Sequence, residues 1–141
     1  MELARFVEAW LELARVDLAI RFLPYRRWRH WLESEGEVRP SSAAPVAFCV
    51  RAVERAARRH YADMNCLRRS LALRRLLARR GVPSRLHLGV RPQGGEIEAH
   101  AWVSSGGTVL NDTADVAERY AELGREGWEE ALARNPVVKE S

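Results

Sequence analysis

Asp63-Met64-Asn65-Cys66-Leu67-Arg68-Arg69-Ser70-Leu71-Ala72-Leu73, running on to Arg80-Gly81-Val82-Pro83, is the stretch whose reading decides the fold. Asp63 and Asn65 are capping residue types just ahead of a run rich in Leu, Ala and Arg, and Gly81 with Pro83 stops it. The pattern predicts a helix from Cys66 to Arg80. At about 100° per residue, Cys66, Ser70, Leu73 and Leu77 share one stripe, with Arg68, Arg75 and Arg79 on the opposite side. Cys66 then sits in the first turn, facing inward, where a helix N-terminus favours the thiolate over the thiol. Taken alone, a cysteine so placed reads first as a small buried hydrophobe.

Downstream, Arg85-Leu86-His87-Leu88-Gly89-Val90 and Ile97-Glu98-Ala99-His100-Ala101-Trp102-Val103 read as strands joined by a turn at Pro92-Gln93-Gly94-Gly95. Ser104-Ser105-Gly106-Gly107 turns the chain again into Thr108-Val109-Leu110, giving an antiparallel meander. Alternation puts Glu98, His100 and Trp102 on one face, and Ala99, Ala101 and Val103 on the other. Asn111-Asp112-Thr113 follows, with Asp112 sharing a face with Thr108 and Leu110, and Thr113 placed to cap a helix over Ala114 to Leu123. A neighbouring strand of this kind brings the Asp112 carboxylate to one imidazole nitrogen of His100 and leaves the other for a sulfur. Asp112 alone would be a turn residue, and His100 alone a satisfied strand histidine. Their order with Cys66 is what points to nucleophile, base and orienting carboxylate. His87 reads as structural, His60 and His30 as surface residues, and Cys49, within Val46-Ala47-Phe48-Cys49-Val50, as core.

Three blocks carry a resemblance: Asn65 to Leu73, Arg80 to Val90, and Ala99-His100-Ala101-Trp102-Val103. Together they resemble the transglutaminase-like leader peptidase of lasso-peptide biosynthesis. That resemblance implies an α+β fold with a papain/transglutaminase-like core, in which a nucleophile helix packs on a small antiparallel sheet behind an N-terminal helical arm. It also implies a thiol peptidase that removes the leader from a ribosomally made precursor, with Cys66, His100 and Asp112 as triad. The backbone N–H of Cys66 is the natural oxyanion donor at a helix start, and Asn65 is either a second donor or a plain cap. Trp102, Glu98 and His87 are candidates for the substrate groove. The implied partners are the precursor's leader region, a separate leader-binding recognition-element protein, since the chain looks like the split form, and the lasso cyclase. No metal or cofactor is implied.

Length and charge frame these readings. The 141 residues suit one compact domain, divided as an arm and loop over 1–43, a peptidase core over 44–123 and a C-terminal segment over 124–141. Two cysteines without paired spacing, and no signal peptide, suit a reducing cytoplasm. Residues 1–91 carry 19 basic and 9 acidic groups, whereas 92–141 carry 4 and 10, and Lys139 is the only lysine. An arginine-rich half invites a nucleic-acid reading, but no such motif is present and the arginines alternate with Leu and Ala as on helix faces. They read instead as a solvated face or a docking surface for an acidic partner.

At the N-terminus Leu3, Phe6, Val7, Trp10, Leu11, Ala14, Leu18 and Phe22 follow helical spacing up to Pro24. That stripe is expected to pack on the domain's own core or receive a partner, and membrane association is not expected. Glu33 to Ser42 reads as a loop, with Ser41 or Ser42 capping a helix over Ala44 to Arg59, and Trp128 to Arg134 as a short helix. An acyl or amide transferase using the same triad remains an alternative function, as does a non-catalytic adaptor built on the arginine faces.

Overall fold

A computed structural model describes residues 2–33 and 44–134. The expected loop over Glu33 to Ser42 and its capping serines lie almost wholly outside them. Four helical pieces, α1 (Glu2–Phe22), α2 (Tyr25–Trp28), α3 (His30–Glu33) and α4 (Ala44–Arg58), precede the central helix α5 (Cys66–Arg79). Strands β1 (Arg85–Gln93), β2 (Glu96–Ser105) and β3 (Thr108–Val109) follow, then α6 (Val116–Arg119), β4 (Ala121–Glu122) and α7 (Arg125–Arg134). The sheet is antiparallel throughout, in the order β3-β2-β1-β4. This is the α+β architecture the sequence predicts.

Both ends of α5 are locked by the residues that mark them in the sequence. Asn65 is extended and its Oδ1 accepts the Arg68 N–H at 2.9 Å, closing the first turn. At the other end Gly81 takes φ 71°, and the Gly81 and Val82 amides bond the carbonyls of Ala78 and Leu77. That pair of bonds is a Schellman stop, which needs a residue tolerant of positive φ at Gly81. Leu67, Leu71, Leu73, Leu76 and Leu77 are buried between the sheet and the α1–α4 pair. On the sheet side they meet Leu86, Leu88, Ala99, Ala101 and Val103.

The arginine face of α5 is not a solvated one. Arg68 is buried, and its Nε donates to Asp17 at 2.7 Å. Arg75 donates to buried Glu12 at 2.7 Å, Arg79 bridges to the same carboxylate, and Arg80 pairs with Glu8. Arg74 is buried too, capping the carbonyls of Trp31 and Leu32 at the end of α3. The sequence places Arg68, Arg75 and Arg79 opposite the core because helical spacing sees one helix at a time. An antiparallel α1 with acids at 8, 12 and 17 makes that side a second interior.

The N-terminal stripe is likewise turned around. The side chains of α1 that enter the core are Ala9, Leu13, Val16, Ala19 and Ile20, with Phe6 and Trp10 at its margin. Leu3, Val7, Leu11, Leu18 and Phe22 remain exposed. His60 also departs from its expected surface place, stacking on Trp10 at 4.1 Å and bonding the Trp10 carbonyl through Nε2. No described helix is long and apolar enough to cross a membrane.

Asp17 also accepts from Tyr61 Oη at 2.6 Å and Arg21 Nε at 2.8 Å. Burial works to raise its pKa, but these three donors outweigh it and hold the carboxyl below its ordinary value. The Tyr61 phenol is pushed the other way, to about 12, by burial and by this carboxylate. The contribution of Asp17 to stability is therefore full above its unfolded value and is lost as pH falls through the lower folded one. Asp17→Asn should destabilise the fold by about 3–5 kcal/mol, the cost of stranding a buried Arg68, and should flatten the acid limb of stability against pH. Urea unfolding of both forms from neutral to acidic pH measures each effect.

Candidate active site

Cys66 is the first residue of α5 and is only partly covered, whereas Cys49 is buried in α4. His100 lies mid-way along β2. Strand β3 pairs with β2 only at Ser104 and Ser105, so no strand covers the β2 edge beside His100. Cys66 lies near enough to the imidazole there to help raise its pKa. On the other side His100 Nε2 bonds Asp112 Oδ2, which leaves Nδ1 for the sulfur. Three residues spread over 47 positions of the chain are thus gathered at one place, with His100 and Asp112 joined by a hydrogen bond.

The carboxylate is not held as the meander predicts. Strand β3 ends at Val109, and Asp112 stands in a bend beyond it, not on a strand face. Its place is set by Asn111, whose Oδ1 accepts the Val103 N–H at 2.8 Å in lieu of a strand neighbour. Asn111 Nδ2 donates to Ser70 Oγ at 3.0 Å, and Ser70 Oγ to the Ala101 carbonyl at 3.3 Å. One amide therefore ties the bend to β2 and to α5 at once. Asp112 Oδ1 accepts from the Thr113 N–H and from Arg119 Nη2, both at 2.7 Å. Thr113 does not cap a helix; its hydroxyl donates to Asp115.

The helix expected over Ala114 to Leu123 shrinks to the single turn of α6, and Tyr120 is extended. The chain leaves the helix because β1 has an open edge, which Ala121 and Glu122 fill opposite Val90 and Gly89. This brings the Tyr120 ring to 4.9 Å from His100, and Trp102, buried at 2 %, stacks at 6.0 Å. A Cβ at Gly89 would lie 2.8 Å from Tyr120 Cβ and 3.0 Å from the Trp102 ring, so this packing requires glycine. Arg119, Tyr120 and Asn111 escape the sequence reading. Of these, only Asn111 leaves a trace there, as the polar neighbour of Asp112.

The groove candidates divide. His87 and Trp102 stack at 5.4 Å and line a cavity of about 460 Å³ together with Ser104, Val109, Ala117 and Glu122. His87 is fixed by Glu122 at Nδ1 and Ser104 at Nε2. Glu98 is not among the residues lining that cavity; it pairs with Arg91 at 2.7 Å and accepts from the Tyr120 hydroxyl at 3.2 Å, beside His100. Asn65 has its side-chain oxygen committed to the cap. Among the described residues no group of three or more His, Cys, Asp or Glu side chains is placed to hold a metal ion.

A helix that begins at a cysteine packs here on an antiparallel sheet, with a strand histidine and a carboxylate beside it, in an α+β architecture. The chain belongs to the transglutaminase-like superfamily, whose family model matches residues 9–125. Over 55 residues it is 38 % identical to the microcin J25-processing protein McjB of Escherichia coli. That alignment covers 39 % of this chain and 26 % of the relative, so it spans about a quarter of the relative's length. No solved structure matches significantly.

Electrostatics at the site favour charge separation. Burial pulls the His100 pKa down, but hydrogen bonds with Cys66 and Asp112 and their charges outweigh it, so the imidazolium persists above the usual value of 6.5. Asp112 is held below its ordinary range: burial works to raise it, and bonds from His100, Thr113 and Arg119 overcome that. The stabilisation that comes with protonated His100 is full below its unfolded pKa and is lost as pH rises through the folded one. Asp112→Asn or Cys66→Ala should each lower the His100 midpoint, read from the imidazole proton shifts in an NMR titration. Gly89→Ala should cost about 1–3 kcal/mol in thermal or chemical unfolding and displace the rings stacked on His100.

Proposed function

We propose that this chain is a cysteine peptidase that removes the leader from a ribosomally synthesised lasso-peptide precursor. The observation that carries the reading is the His100–Asp112 hydrogen bond beside the helix start that holds Cys66, with the imidazolium favoured. The blocks around Asn65, Gly81 and His100 that resemble lasso leader peptidases support it, as does the partial likeness to a protein named for processing microcin J25.

In this mechanism the Cys66 thiolate attacks the carbonyl at the leader–core junction, forming a C–S bond and a tetrahedral oxyanion. The N–H of Cys66 has no partner within its own helix and donates to that oxyanion, with the Asn65 N–H as its neighbour. As the intermediate collapses, the C–N bond breaks and His100 gives its proton to the departing amine. His100 then takes a proton from water, whose oxygen attacks the thioester and releases the leader as a carboxylic acid. Asp112 keeps Nδ1 directed at the sulfur throughout, as the carboxylate of a triad does. The precursor reaches the site with a separate leader-binding protein, and the lasso cyclase takes the released core peptide onward.

Mass spectrometry of a precursor incubated with the chain and a leader-binding protein tests this. Cys66→Ala should abolish cleavage, by a factor of at least about a thousand, with an unchanged circular dichroism spectrum. Asp112→Asn should retain a residual rate some 10²–10⁴-fold lower. Undiminished cleavage by folded Cys66→Ala ends the proposal. Capture of an added amine in preference to water would make the chain an acyl transferase instead.

A further inference from the structure

The five apolar side chains that α1 leaves exposed are not scattered. Leu3, Val7 and Leu11 form one row at four-residue spacing, and Ala14, Leu18 and Phe22 form a second beside it. The first row covers the N-terminal half of the helix and the second its C-terminal half, so together they make one apolar stripe roughly 28 Å long. Leu3 is 74 % exposed and Phe22 76 %. With Leu23 following, the face exposes on the order of 600 Å² of apolar surface, at the upper limit for a solitary protein. The carboxylates of α1 cannot offset this, because Glu12 and Asp17 are turned inward onto the arginines of α5.

The two rows mirror each other about the middle of the helix. Reversing α1 brings Leu3 onto Phe22, Val7 onto Leu18 and Leu11 onto Ala14. An antiparallel copy therefore presents the same spacing, as an isologous two-fold contact requires. Charge agrees with this register. Arg15, 57 % exposed, and Glu8, 28 % exposed, border the same side of the stripe. Reversal sets Arg15 of each copy within about one helical turn of Glu8 of the other, where it would join the Arg79 and Arg80 that already pair with that carboxylate in its own chain. A lipid surface would not select a spacing that matches its own reversal. We infer that α1 is a dimerisation helix whose occupant is a second copy of this chain, packed antiparallel. Twice the exposed face gives roughly 1,200 Å², the low end of specific interfaces.

Sedimentation equilibrium of the full chain at about 100 µM should report twice the chain mass, since an interface of this size is moderate in strength. Leu11→Glu combined with Leu18→Glu should return the chain mass with an unchanged helical dichroism spectrum. In a Cys66→Ala background, Val7→Cys with Leu18→Cys should oxidise to a covalent dimer. Leu18→Cys alone should not, because the two copies of residue 18 lie about 16 Å apart along an antiparallel pair. A monomer at that concentration overturns the inference. So does a dimer that survives the double glutamate change, or one that Leu18→Cys alone cross-links as readily. Binding of a monomer to phosphatidylglycerol vesicles overturns it as well, and assigns the face to lipid. None of these outcomes bears on Cys66 chemistry, so peptidase activity and dimerisation stand or fall separately.

Discussion

Asp17 has no contact with solvent and three donors around it: Arg68 from the first turn of α5, Arg21 one turn along its own helix, and Tyr61 from the segment that leads into α5. Taking a carboxylate out of water is costly, by several kcal/mol, unless its lone pairs are filled. Here they are filled only when α1, the 61–65 segment and the start of α5 are all in register. The Cys66 backbone is two residues from Arg68, so the same constraint that docks α1 fixes the sulfur. Glu12 with Arg75 and Arg79, and Glu8 with Arg80, continue the alignment toward the other end of α5.

The sheet supplies the rest of the site through absence of pairing as much as through pairing. Because β3 is two residues long, the β2 edge at His100 is open to the start of α5. The backbone amide that a longer strand would have satisfied is taken by Asn111, and this in turn delivers Asp112. Gly89 lets Tyr120 and Trp102 settle over the strand that carries His100's neighbour, and those rings limit how the imidazole can turn. Arg119 clamps the far oxygen of Asp112 and leans over the Tyr120 ring. Asp112, His100 and the aromatic bed are thus one connected unit, built from three short elements.

Local signals in the chain were strong where a single element sufficed. The Asn65 cap, the Gly81 stop and the double-glycine turns between strands each impose a backbone geometry within a few residues, and each appears where the sequence sets it. The order Cys66, His100, Asp112 was legible too, because strand alternation and helix phase can be counted. Arg68 was misread, and the α1 stripe was left open between core and partner, for a common reason: α1 is apolar or paired on most of its circumference, so helical periodicity alone does not say which side faces inward. The role of Tyr120 and Arg119 left no local trace, since both depend on a helix ending early to join β1.

By itself, then, the sequence determined the helix that begins at Cys66, the meander that carries His100, and the class of fold they build. These follow from short-range sterics and from the periodicities of 3.6 and 2 that backbone geometry enforces. Only the tertiary structure decided which arginines became interior, which face of α1 stayed outside, and how Asp112 came to His100 from a bend instead of a strand. Those choices rest on pairing between residues up to 72 positions apart, as for Arg80 with Glu8. Burial and charge at such range are settled by the whole packed molecule, not by any stretch of it.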